Sequence, residues 1–319
     1  MTDSGTAISC ADSRGWYTRP MKGRRFGAGG RLELVEKLGE GASGHIWRCY
    51  DHKKSRDVAV KFLHATLEHR NDVRERFLRE GQRIGRIRHP NLVRIYGLGR
   101  EGNELYIVCE FVAGQTLFDI LHKEGALATV EALTFARDIA AGLTEAHRHG
   151  IVHRDLKPAN VMVRDEDGAV KVLDFGIAKD LNARSNITRR GSYIGTPAYS
   201  APEQILGDEI DARCDIFSLG VMLYEMITGP LPRSEGFTTE LFRATLEETR
   251  VPLGDLHHRV TRPVAFLIQR MTRRDPARRP ASMEEVRTQA DQLVQILRQS
   301  QDKKGAQAIS GHLKKLLRP

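Results

Sequence analysis

Apolar and polar positions first fall into a regular pattern at residue 31. Leu32-Glu33-Leu34-Val35-Glu36-Lys37-Leu38 alternates as a half-buried strand does, His45–Tyr50 repeats the alternation, and Asp57–Leu63 is a third strand rich in β-branched residues. Residues 70–88 change period: Val73, Phe77, Ile84 and Ile87 recur at helical spacing with arginines between them. Leu92–Leu98 and Leu105–Phe111 suit two more strands. Beyond Gly114 the pattern turns helical. Thr129 is the expected N-cap of a helix from Val130 to His149, and 215–228 and 261–272 read as buried helices. A last helix over 282–298 opens on Ser282-Met283-Glu284-Glu285, a capping-box pattern. Strands first and helices afterwards predict an α+β protein in two segregated parts, not alternating βαβ units. Residues 1–30 are aperiodic and read as a flexible leader, with Met21 an alternative start. Residues 299–319 read as a polar, basic tail that frays.

Composition narrows the class. With 319 residues, 40% hydrophobic and 29% charged, the chain can bury a sizeable core and reads as soluble and globular. No apolar run reaches the length of a bilayer span, and Met1–Pro20 lacks the apolar stretch of a signal peptide, so a cytoplasmic protein is expected. Cys10, Cys49, Cys109 and Cys214 are scattered, which argues against a disulfide frame or a zinc site. The net charge of +9 suits a nucleotide or an acidic partner as well as nucleic acid. No nucleic-acid-binding motif accompanies it, and nucleic acid is not an expected partner.

The chemistry concentrates in two stretches. His153-Arg154-Asp155-Leu156-Lys157-Pro158-Ala159-Asn160 packs an acid, a cation and an amide into six residues, and Asp174-Phe175-Gly176 follows. A carboxylate can take a hydroxyl proton, an ammonium can neutralise a phosphate, and amide and carboxylate oxygens can hold a hard metal ion. Val161-Met162-Val163 and Val170–Leu173 flank a turn at Asp165–Gly168, so a hairpin brings Asn160 near Asp174. Earlier, Gly39-Glu40-Gly41-Ala42-Ser43-Gly44-His45-Ile46 carries the GxGxxGx spacing. Here it runs into a strand rather than a helix, which sets it apart from dinucleotide-binding loops. Lys61 lies mid-strand in Val58-Ala59-Val60-Lys61, either on a solvent face or as a functional cation. Glu80 is either its partner or half of a surface pair with Arg76.

Taken in order, these motifs resemble the signature set of Hanks-type (eukaryotic-like) serine/threonine protein kinases, over about residues 31–298. Pro202-Glu203-Gln204 is similar to bacterial members. The resemblance implies a bilobal protein-kinase fold. Its N-lobe, about 31–112, holds a five-stranded antiparallel sheet and one helix; its C-lobe, about 115–298, is mainly helical. It implies transfer of the ATP γ-phosphoryl group to Ser or Thr hydroxyls of proteins, with Asp155 as base and Lys157 on the γ-phosphate. Asn160 and Asp174 would hold Mg²⁺. For ATP it implies the loop Gly39–Ile46, Lys61 paired with Glu80, the Glu110 carbonyl and Val112 N–H on adenine, and Leu38, Ile46, Ala59 and Met162 around the ring. Cys109 takes the gatekeeper place, a small residue that predicts a roomy back pocket.

His153 and Phe175 belong, by the same resemblance, to a structural spine with Ile84 and Ile95. Glu203 pairs with Arg279, and Asp215 caps the catalytic-loop backbone. Arg154 before Asp155 implies control by a phosphate in the activation segment, with Thr188 and Ser192 as candidate sites and self-association as a route to trans-autophosphorylation. The arginines of 70–88 are a solvated face or a dock for that phosphate or for an acidic partner. Bacterial members commonly continue into a membrane span and a sensor; this chain is expected to be a short, soluble one. A pseudokinase scaffold and a small-molecule kinase of related fold are the alternatives. The first is disfavoured by the presence of Lys61, Asp155, Asn160 and Asp174, the second by Gly195–Tyr199 and Ala201–Glu203.

Overall fold

A computed structural model describes residues 22–41, 44–63, 81, 83–102, 104–175, 197–231 and 260–316. The chain divides into two compact units, the first up to residue 85 with 95–111, the second 86–94 with 112 onward.

The first unit is built on β1 (Arg25–Phe26), β2 (Leu32–Gly41), β3 (Gly44–Asp51), β4 (Arg56–Leu63), β5 (Ile95–Glu101) and β6 (Glu104–Glu110). They form one antiparallel sheet in the order β1-β2-β3-β4-β6-β5. Side chains alternate between faces, so directly paired residues share a face. Cys49 opposite Val58, and Trp47 opposite Val60 and Val108, lie on the face that carries the hydrophobic core. Ile46, Lys61 and Ile107 pair on the other face, as do Arg48, Ala59 and Cys109.

Among the described residues the sheet has six strands rather than the five expected, and the added one lies in the stretch read as a flexible leader. Arg25–Phe26 pairs with Leu32 and Glu33 inside the stretch read as flexible. Phe26 is buried, with its ring centroid 5.3 Å from those of Phe62 and Tyr106. The Gly27 N–H donates to Glu101 Oε2 at 3.0 Å, and Arg31 forms an ion pair with the buried Asp51 carboxylate. A single aromatic among glycines and arginines creates no periodicity, so the sequence pattern carries no sign of this strand. The helix expected over 70–88 falls largely outside the described residues. Its end is seen at Gly81, where the carbonyl accepts from the Gly85 N–H at 2.9 Å.

The second unit holds β7 (Gly114–Thr116), α1 (Leu117–Glu124), α2 (Thr129–Arg148), β8 (Val161–Arg164), β9 (Val170–Val172), α3 (Pro202–Leu206), α4 (Arg213–Thr228), α5 (Arg262–Met271) and α6 (Met283–Leu316). β7, β8 and β9 form a small antiparallel sheet. α4 buries almost its whole circumference, with Cys214, Asp215 and Phe217 through Leu223 all inside, as a central helix of a domain does. α1 begins with a reciprocal capping box between Thr116 and Asp119.

Two helix ends differ from expectation. Thr129 is the first helical residue of α2, and Ala128, in extended conformation, holds the N-cap place without a side-chain bond. α6 does not stop near 298 but continues to Leu316, through the stretch read as a fraying tail. At its start the Glu285 N–H donates to Ser282 Oγ at 3.3 Å. The Glu285 carboxylate reaches back to the N–H of Ala281, one residue earlier than a regular capping box would take it.

Candidate active site

The loop after α2 carries the expected chemical residues, and buried side chains of α3 and α4 shape it. Asp215 of α4 is fully buried. One of its oxygens accepts the His153 N–H and the other the Arg154 N–H, each at 2.8 Å. His147 Nε2, at the end of α2, lies 2.8 Å from the first of these oxygens. Arg154 takes φ +61°, a left-handed conformation that costs a non-glycine residue about 1–2 kcal/mol. Asp215 holds the backbone there and so aims the next residue, Asp155.

Asp155 Oδ2 accepts from Lys157 Nζ at 3.0 Å and from Asn160 Nδ2 at 3.3 Å. The same Asn160 nitrogen donates to the Asp155 carbonyl at 2.8 Å. Pro158–Asn160 forms a single 3₁₀ turn, which brings Asn160 back over Asp155. The Leu173 N–H then donates to the Asn160 carbonyl at 2.8 Å, continuing the β8–β9 ladder and setting Asp174 one residue beyond Asn160's cross-strand neighbour. Asp174 also lies at positive φ, +49°. His153 is fully buried, with Nε2 2.7 Å from the Leu173 carbonyl and its ring 5.1 Å from that of Phe175. It sits behind the loop, among groups that fasten the backbone.

The donor set suits a hard divalent cation. Asn160 turns its amide nitrogen to Asp155, which leaves its amide oxygen as the donor, and Asp174 adds a carboxylate. Among the described residues no group of three or more His, Cys, Asp or Glu could hold a metal ion.

Burial by itself raises the Asp215 pKa. The hydrogen bond and electrostatic attraction of His147, followed by the electrostatic influence and backbone N–H of His153, outweigh it and hold the carboxyl below its ordinary value. A depressed carboxylate stabilises the fold above its unfolded pKa, about 3.9, and the benefit is lost as pH falls through the lower folded value. Unfolding midpoints followed on acidification are therefore expected to fall more steeply below about pH 4 in the native chain than in Asp215→Asn. Parallel curves for the two proteins would remove Asp215 as a source of acid lability.

Behind the loop, Arg279 and Glu203 form a bidentate pair at 2.7 Å on both arms, both residues buried. The other Arg279 donors reach the carbonyls of Arg273, Arg274 and Arg213. Tyr199 donates its hydroxyl to Glu225 Oε2 at 2.6 Å. The Glu203–Arg279 pair and the Asp215 cap both match the sequence expectation. His147 and Glu225 were not anticipated, because each meets its partner only through the tertiary fold.

In the first unit the residues assigned to ATP divide by face. Ile46, Ala59 and Lys61 share the face opposite the core, together with Cys109. In the glycine hairpin Gly39 pairs with Ile46, Glu40 with His45 and Gly41 with Gly44. Gly44 has φ +143°, and a Cβ there would lie 1.8 Å from the Phe62 carbonyl oxygen, so strand packing alone demands glycine. At Gly39 a Cβ would meet nothing within 4 Å, which leaves the backbone approachable. His45 is buried, its ring stacked on Phe62 at 5.1 Å on the core face, so only its backbone remains for a nucleotide. Leu38 is 47% exposed, and Glu40 forms an ion pair with Lys37. Glu110 closes β6; in the second unit Val112 is buried and Met162 pairs with Thr116 and Lys171. Ala42, Ser43, Glu80, Thr188 and Ser192 lie outside the described residues.

Residues 32–292 match the family described as protein kinase domain. The chain is 35% identical over 258 residues to a probable serine/threonine-protein kinase of Clostridium perfringens, covering 81% of this chain and 37% of that protein. It is 38% identical over 262 residues to the serine/threonine-protein kinase PknB of Mycolicibacterium smegmatis, covering 81% and 42%. The chain thus spans about two fifths of the length of these relatives. Its fold is similar to that of the Mycobacterium tuberculosis PknI kinase domain, with TM-score 0.63, 22% identity, and coverage of 86% of this chain and 99% of that one. The chain belongs to the protein kinase domain family. The resemblance to Hanks-type serine/threonine kinases of bacteria is borne out, and with it the α+β kinase fold. The family uses ATP and a divalent cation to modify proteins. Among the described residues no helix is long and apolar enough to cross a membrane.

Proposed function

We propose that this chain transfers the γ-phosphoryl group of ATP to serine and threonine hydroxyls of proteins. The observation that carries the reading is the closed loop in which Lys157 and Asn160 both bond Asp155 while Asp215 fixes the backbone before it. In this reading Asp155 accepts the acceptor hydroxyl's proton, and Lys157 sets its compact positive charge against the transferring phosphoryl oxygens. Asn160 and Asp174 offer oxygen donors to Mg²⁺, which when bound neutralises charge on the phosphate oxygens.

Lys61, with Glu80, takes the α- and β-phosphates beneath the Gly39–Ile46 loop. The Glu110 carbonyl and Val112 N–H are assigned to adenine, and Leu38, Ile46, Ala59 and Met162 to apolar contacts with its ring. Lys157 and the Gly195–Tyr199 segment favour Ser and Thr over Tyr as acceptors. Autophosphorylation in trans at Thr188 or Ser192, through transient self-association, would give Arg154 a phosphate to hold bidentately. The work is assigned to the cytoplasm, where ATP is supplied.

An acceptor panel tests the reading. With ATP and Mg²⁺, phosphate should appear on Ser and Thr of generic acceptor proteins. ATP binding without transfer would instead describe a scaffold, and transfer only to small alcohols a small-molecule kinase.

A further inference from the structure

Positive φ at Arg154 has to be held from both sides, because the residue carries two peptide groups that could relax together. Asp215 secures the N–H. On the other side the Gln204 side chain donates Nε2–H to the Arg154 carbonyl at 2.9 Å. Its Oε1 accepts the Ala201 N–H at 3.0 Å. Gln204 belongs to α3, the short helix that closes the segment beginning at Asp174. Ala201 is fully buried and Glu203 is locked to Arg279, so the anchoring end of this bridge is stiff. The carbonyl that Gln204 holds is the peptide unit joining Arg154 to Asp155.

We infer that Gln204 is a positioning residue, which orients the Asp155 carboxylate through the Arg154–Asp155 peptide and couples the set of α3 to the chemical step. The inference rests on the reading of Asp155 as the acceptor base. A side-chain amide is required because one end must donate while the other accepts. A carboxylate keeps the acceptor toward Ala201 but turns a second acceptor against the Arg154 carbonyl. A thioether supplies neither bond.

Gln204→Met and Gln204→Glu separate these contributions. Two measurements are made on each full chain with ATP and Mg²⁺. One is the rate of the first turnover on an acceptor protein, with KM for ATP. The other is amide hydrogen exchange across the second unit, including the peptide spanning 151–157. Loss of one aligning hydrogen bond corresponds to roughly a tenfold slower first turnover. Both variants are expected to show that loss, with KM for ATP unchanged and faster exchange in the 151–157 peptide, joined in Gln204→Met by the Ala201 amide that loses its acceptor. A first turnover at the native rate in Gln204→Glu would overturn the inference. So would unchanged exchange in both variants, or rate losses accompanied by faster exchange throughout the second unit. If the native chain transfers no phosphate, the reading of Asp155 falls on that result, while the exchange measurement still decides whether Gln204 holds the loop.

Discussion

Asp155→Asn is expected to slow the first phosphoryl transfer by about 10²- to 10⁴-fold, the range associated with removing a positioned general base. The substitution keeps the size of the side chain, and its amide oxygen can still accept from Lys157 and Asn160, which lie 3.0 Å and 3.3 Å from the native carboxylate oxygen. What is lost is the capacity to take a proton. ATP affinity should therefore stay within a few-fold of native, since the residues assigned to the nucleotide are untouched. A rapid-quench measurement with saturating ATP separates transfer from product release. A first turnover within a few-fold of native would show that Asp155 is not the base.

Arg279→Ala should strongly destabilise the second unit. Arg279 uses its guanidinium on five hydrogen bonds, two to Glu203 and one each to the carbonyls of Arg213, Arg273 and Arg274. Its removal strands a buried carboxylate, and breaking one partner of a buried ion pair costs about 3–5 kcal/mol. Urea unfolding should report a loss of that size. Arg279→Lys should recover only part of it, because an ammonium cannot reproduce the planar fork. Removing both charges, in Glu203→Gln with Arg279→Met, should cost less than the sum of the single changes, as coupled neighbours do. Additive losses, or a loss under about 1 kcal/mol for Arg279→Ala, would show that the pair contributes little.

Local patterns made most of the architecture legible. Alternation placed β3, β4 and β6 to within a few residues, and the 3.6-residue period placed α2, α4 and α5, because these elements bury a continuous face. Phe26 escaped notice because one buried ring leaves no period. α1, β7 and α3 are too short for one. At the site, the chemical residues were readable because the loop packs them within six positions, and the hairpin from Val161 to Val172 implied that Asn160 and Asp174 come together. Gln204 was not readable as a bridge: its partner in the loop lies fifty residues away in sequence, and only the tertiary fold sets its amide against a left-handed backbone. At Gly44 the close approach of the Phe62 carbonyl requires glycine whatever the loop binds, a constraint that the motif does not reveal.

Mass spectrometry of the intact chain after incubation with Mg²⁺ and ATP, alongside Asp155→Asn, tests the central claim most directly. Protein serine/threonine kinase activity predicts added phosphoryl groups on the native chain, mapping to Ser and Thr residues and absent from the variant. A native chain that binds ATP yet stays unmodified, and leaves an acceptor protein in the same tube unmodified, would contradict it.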